Sequence, residues 1–285
     1  MRFKICFIVI FLIVPMLVSA QDIDLSDSEK EYIENIKSIK VCCSSDWMPL
    51  EKLKNELHEG IVSDYIKVFQ ETLGVPFEFI DAGCLEDSPG KIKDKKCDIF
   101  SLTGATEQRQ EYMDFTKSYL DMPVGIATSV NETFYANIAM LKDKKMAIIK
   151  GSSYVKVVEK NYPNIHLVYV DSSRHGLEMV RLGKVDGFID ALPSLSYHIQ
   201  NSYVGMLKIS GKFNEDWKLS VGVKKDKPLL FSIFEKLVAS VPAEKHQDIM
   251  NKWVSIQSYN TTDYGRINKI LAIVSCLLFF VAYRQ

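Results

Sequence analysis

The chain has 285 residues, 47% hydrophobic and 25% charged, a composition that excludes a disordered or low-complexity protein. Its 35 basic and 36 acidic residues give a formal net charge of −1, so no basic excess points to nucleic acid. The length suits one large domain or two lobes of ordinary size, with core enough to fold without disulfides or metals.

Arg2 and Lys4 precede an apolar run from Ile5 to Val18, and Val18-Ser19-Ala20 ends it with small residues. This is the pattern of a secretory signal peptide over residues 1–20, with Gln21 as the first mature residue. Residues 21–38 form a polar, acidic lead-in. A strand is predicted over Ile39 to Cys43, followed by an Asp46-Trp47-Met48-Pro49 turn. Apolar residues at 61, 62, 65, 66, 69 and 73 predict a helix that Gly74 stops. Strands follow at Phe77–Ile80 and Cys97–Leu102, and Thr106 caps a helix that begins Glu107-Gln108-Arg109.

An extended stretch from Tyr119 to Val130 leads into a second α/β series. Its strands are Met146–Lys150, His166–Val170 and Val185–Asp190. Gly151-Ser152-Ser153 opens the first helix of this series, Ser172 or Ser173 caps the second, and Pro193 or Ser194 starts the third. A second extended stretch, Leu219 to Val223, leads to two amphipathic helices. Strands alternating with helices indicate parallel α/β units, and the two extended crossings suggest lobes hinged by a pair of strands. The expected division is 39–128 with 220–258 in one lobe and 129–219 in the other. A polar linker over 259–266 then precedes an apolar run ending in Tyr283 and followed by Arg284. Residues 267–283 are therefore expected to form a transmembrane helix.

Cys42, Cys43, Cys84 and Cys97 fall in the exported region. Cys84 and Cys97 could pair and close a short loop. Cys42 and Cys43 are adjacent on a strand and so face opposite ways, which argues against a four-cysteine metal site. The five histidines show no metal spacing, and no cofactor or metal is expected.

Three segments carry candidate chemistry. In Asp98 to Arg109, a strand delivers the backbone to Gly104, and Arg109 falls in the first turn of the next helix. A cation there partly opposes the helix dipole; its use would be to clamp a carboxylate. Lys150-Gly151-Ser152-Ser153 offers backbone amides and hydroxyls to an anion, or simply caps a helix. Asp190 ends a short apolar strand, where it could receive an ammonium group or cap the following helix.

These segments, together with Trp47, resemble the family 3 bacterial extracellular solute-binding proteins of the type II periplasmic-binding fold. The resemblance covers about Ile39 to Trp253. It rests on Thr106, Arg109, Asp114, Phe115, Thr116 and Tyr119 as Thr-x-x-Arg…Asp-Phe-Ser/Thr-x-x-Tyr, and on Gly183 and Asp186 as Gly-x-x-Asp. It implies that Arg109 grips a ligand α-carboxylate, with further donors from Ser152 and Ser153. It also implies that Asp190 takes the α-amino group and that Trp47 stacks on the ligand. Leu102 and Gly104 join the contact set, although members often carry a hydroxyl where Gly104 stands, so only its backbone can contribute. The implied activity is non-enzymatic binding of an amino-acid-like solute by lobe closure at the periplasmic face, tethered to the inner membrane. A sensory role toward a signalling output protein is expected first. Service to an ABC permease is the alternative, and a periplasmic dehydratase of the same fold comes third.

Overall fold

The computed structural model describes residues 23–44, 46–83 and 97–254. The signal peptide, the linker and the membrane span expected from the sequence lie outside these residues. Among the described residues no helix is long and apolar enough to cross a membrane.

Two mixed sheets organise the chain. In the first, β1 (Ile39–Cys43) lies between β4 (Phe77–Asp81) and β5 (Ile99–Thr103), parallel to both. The late strand β13 (Trp217–Lys224) then adds antiparallel to β5, and β6 (Met113–Phe115) and β7 (Leu120–Met122) pair with β13. In the second, β9 (Lys145–Ile149) is flanked in parallel by β10 (His166–Val170) and β11 (Gly187–Ala191). There β8 (Val124–Ser129) and β12 (Leu207–Lys212) complete the sheet in antiparallel fashion. A small hairpin, β2 (Lys52–Lys54) and β3 (Leu57–Glu59), projects from the first sheet's side of the chain.

The chain passes between the sheets twice. Only Pro123 separates β7 from β8, and residues 213–216 separate β12 from β13. Leu120, Met122, Val124, Trp217 and Leu219 at these crossings are all buried, and they belong to one core cluster that also holds Val41 of the first sheet and Ile148 of the second. The apolar interior is therefore continuous through the crossings, which fixes where the two lobes meet.

Helices cover the sheets as the apolar spacing requires. After α1 (Asp27–Asn35) in the lead-in, the helix α2 (Ile61–Leu73) buries Ile61, Val62, Tyr65, Ile66, Phe69 and Leu73, and Gly74 closes it in the left-handed conformation at φ 67°. The segment behind Thr106 makes a single turn, α3 (Glu107–Gln110), with the Thr106 hydroxyl accepting from the Arg109 amide. The second lobe is covered by α4 (Tyr154–Asn161), α5 (Ser173–Arg181) and α6 (Leu192–Ser202). The helices α7 (Pro228–Ser240) and α8 (Ala243–Val254) return to the first lobe, where α8 packs on α2.

The expected Cys84–Cys97 pairing is corrected by the structure. Cys97 is bonded to Cys42, with their Cα atoms 5.7 Å apart. Adjacency of β1 and β5 in the sheet, a contact invisible to sequence distance, brings these two together. Cys43 points to the other face and is a buried free thiol. The bridge spans 55 residues, so replacing Cys97 with Ala should lower unfolding free energy by about 4 kcal/mol. Urea denaturation of the variant and of the oxidised chain reads this; equal midpoints would show that the bridge adds nothing.

Candidate functional site

The site lies where β5, β9 and β11 end. β5 is buried along its whole length and runs into Thr103 and Gly104, after which the Thr106 cap turns the chain back. That turn folds Arg109 over the strand end with only 7% of its surface exposed. Its Nη1 donates to the Thr103 hydroxyl at 3.0 Å and the Gly104 carbonyl at 2.9 Å. Its Nη2 reaches the other lobe and donates to the Gly151 carbonyl at 2.7 Å. Burial lowers the guanidinium's pKa from its ordinary value. Each of these three partners is a neutral oxygen, an incomplete compensation for a buried cation.

On the opposite lobe, Gly151 adopts φ 75°, which lets β9 turn sharply into α4. The Ser152 hydroxyl accepts from the Tyr154 amide at 3.2 Å. The Ser153 hydroxyl accepts from Trp217 Nε1 at 2.7 Å. Asp190 on β11 is buried and fully coordinated. Its Oδ1 accepts from the Ala191 amide at 2.8 Å and from Trp47 Nε1 at 3.2 Å. Its Oδ2 accepts from the hydroxyls of Ser173 at 2.6 Å and Ser194 at 2.8 Å. Burial raises the Asp190 pKa against the opposing pull of these four bonds.

Trp47 and Trp217 complete the cleft, with ring centroids 4.9 Å apart. The lobes are thus held together by the protein's own groups: Trp47 to Asp190, Arg109 to Gly151 and Trp217 to Ser153. Gly104 permits this approach, because a Cβ built there would lie 1.9 Å from the Ser153 hydroxyl. The space among Asp190, Ser152, Tyr154 and Trp217 is too finely divided to hold a water molecule. Outside it, a groove of about 1070 Å³ opens past Arg109, Gly151 and Ser152 toward Lys156 and Tyr169.

Of the residues singled out from sequence, Trp47, Gly104, Arg109, Ser152, Ser153 and Asp190 converge on this cleft. The Leu102 side chain does not join them and packs in the main core, 2% exposed. Sequence reasoning missed Thr103, Ser173, Ser194 and Trp217. Ser173 and Ser194 stood at helix starts, where capping accounted for them. Trp217 opens an extended stretch in which no spacing marked it.

The model of the bacterial extracellular solute-binding proteins, family 3, matches residues 39–256. The virulence sensor protein BvgS of Bordetella pertussis is 21% identical over 261 residues, covering 89% of this chain and 21% of BvgS. The chain therefore spans about a fifth of that relative's length. The crystal structure of the BvgS periplasmic VFT2 domain superposes with TM-score 0.76 at 19% identity, covering 81% of this chain and 99% of that one. An ancestral arginine-binding protein bound to arginine superposes with TM-score 0.68 at 19% identity, covering 76% and 98%.

Two outcomes follow from the cleft geometry. Gly104→Ala should push Ser153 away and part the lobes, increasing the radius of gyration in solution scattering. An unchanged scattering curve would mean that the close approach is not a constraint. Because burial raises the Asp190 pKa above its unfolded value, the stability linked to this group is greatest at acid pH and is lost as pH rises through the folded pKa. The stability difference between the native chain and Asp190→Asn should therefore move in favour of the native chain as pH falls from 7 toward 4. Urea midpoints at the two pH values read the sign, and a shift the other way would contradict it.

Proposed function

This chain belongs to the bacterial extracellular solute-binding proteins, family 3, and on that premise we propose that it binds a small amino-acid-like carboxylate between its lobes as the sensory module of a signalling receptor. The observation that carries the reading is Arg109, a buried guanidinium at the cleft whose partners are all neutral oxygens. A ligand carboxylate would replace the Gly104 and Gly151 carbonyls as a charged, bidentate acceptor. The ligand's ammonium group would take the place of Trp47 Nε1 on Asp190, and the freed indole would lie against the ligand. Ser152 and Ser153 would add donors to the carboxylate.

In this reading the solute does not close an open cleft unaided. It exchanges its own contacts for the bonds that Trp47, Arg109 and Trp217 make across the lobes. A solute can shift the lobes only by its differential affinity for the two arrangements. In this reading the lobes part at the crossings, Pro123 and residues 213–216, rather than at 128/129 and 219/220, and the cleft is assigned binding rather than a reaction. A tether at 267–283 would hold the module at the periplasmic face of the inner membrane.

The sensory assignment draws on the likeness to BvgS across 89% of the chain. A second reading, the substrate-binding component of an amino-acid ABC transporter, is favoured by the fold shared with an arginine-binding protein. The partner separates them: an output protein in the first case, a permease in the second.

Thermal unfolding in the presence of amino acids and small carboxylates tests the binding itself. A ligand at about 100 times its Kd should stabilise the chain by about 2.7 kcal/mol. Arg109→Ala should weaken that ligand about 100-fold or more, since it removes the buried cation that faces the carboxylate. Stabilisation that survives Arg109→Ala unchanged would remove Arg109 from the site, and no stabilisation by any α-amino acid would remove the amino-acid reading.

A further inference from the structure

Beneath the Trp47 loop, three side chains that the binding reading does not use meet in the interior. Cys43 ends β1, Glu51 follows the Trp47 turn, and His58 lies in β3. Their ligand atoms all fall within 4.8 Å of one another, and all three residues are buried. Glu51 Oε2 lies 3.2 Å from His58 Nε2, with side-chain exposures of 2% and 3%. His58 is the sole ion-pair partner of Glu51 among the described residues. The Glu51 carboxylate is aimed by two further bonds, from the Ser44 amide at 2.7 Å and the Ser101 hydroxyl at 2.5 Å. The His58 ring lies against Phe79, and its buried Nδ1 has no hydrogen-bond partner among the described residues. Cys43 is a free thiol. The sequence hides the set, because separations of eight and seven residues match no metal motif.

We propose that Cys43, Glu51 and His58 form a binding site for a divalent transition metal of the zinc type. The donors are sulfur, oxygen and nitrogen, the mixture that zinc accepts, whereas calcium or magnesium would want oxygen alone. Tetrahedral bonds of zinc length separate ligand atoms by about 3.5 Å, close to the 3.2 Å between Glu51 and His58; the Cys43 sulfur lies within 4.8 Å of both. Charge also balances. A thiolate and a carboxylate neutralise the ion in an interior that, among the described residues, pairs Glu51 with no lysine or arginine. Binding breaks the Cys43 S–H bond and releases that proton to solvent while Sγ bonds to the metal; the His58 ring carries its proton on Nδ1, so that the Nε2 lone pair is free to ligate. The Ser101 hydroxyl on Glu51 is the kind of supporting bond that orients a ligating carboxylate. Glu51 and Trp47 also exchange backbone bonds, at 2.8 and 3.0 Å, so an ion here would pin the loop that carries Trp47 into the cleft.

Refolding the full chain in Co²⁺ without reductant, which keeps the Cys42–Cys97 bridge, tests the site. The expected result is one cobalt per chain, with intense tetrahedral visible bands and a thiolate-to-cobalt charge-transfer band in the near ultraviolet. Cys43→Ser should abolish the charge-transfer band, and His58→Ala should weaken cobalt binding at least tenfold, with far-UV circular dichroism confirming that both variants fold. A native chain without the charge-transfer band overturns the site whatever the variants do. A band that persists in Cys43→Ser places the sulfur ligand elsewhere and overturns it too.

Discussion

The arrangement of the cleft depends on one buried cation. Arg109 is placed by a cap and a single helical turn, and from there it bonds to the end of its own lobe and to the backbone of the other. A guanidinium so buried demands acceptors; the Gly104 carbonyl comes from its own lobe, and the Gly151 carbonyl can reach it only when the strand ends of both lobes come close. Gly104, whose missing Cβ leaves room for Ser153, and Gly151, whose positive φ turns β9 away from the cleft, are the local conditions for that approach.

The same demand explains why the cleft is filled by the protein's own groups. Trp47 and Trp217 stand against each other and each donates to the second lobe. Individual hydrogen bonds of this kind contribute on the order of 1 kcal/mol net, because their groups would otherwise bond to water or to a ligand. They are thus strong enough together to hold the lobes in register and weak enough for a charged solute to displace. Asp190 fits this account: its four donors make it a stable acceptor for the Trp47 indole, and only one of the four, Trp47, must leave to admit an ammonium group.

Much of the architecture was legible in the sequence because periodicity and punctuation agree with the fold. The α2 apolar spacing, the Gly74 stop, the Thr106 cap and the alternation of strands and helices each depend on neighbours close in the chain. What escaped depends on neighbours brought together by the sheets. Cys97 pairs with Cys42 because β5 lies beside β1, a relation that the short Cys84–Cys97 interval obscured. Trp217 enters the cleft because β13 runs back through the first sheet, and Ser173 and Ser194 meet Asp190 because two helix starts face one strand end. Leu102 entered the contact set with Gly104, but its side chain packs in the core.

A solute is proposed to take over the bonds that the two cleft tryptophans make across the lobes. The chain has three tryptophans, and the third, Trp253, donates to Asp64 at 2.6 Å, away from the cleft. The most direct measurement is therefore the indole Nε1–H resonances of ¹⁵N-tryptophan-labelled protein during titration with a stabilising amino acid. The Trp47 and Trp217 signals should shift together as the ligand saturates, while Trp253 stays in place. Saturable binding that leaves Trp47 and Trp217 unmoved would place the ligand outside this cleft and contradict the claim.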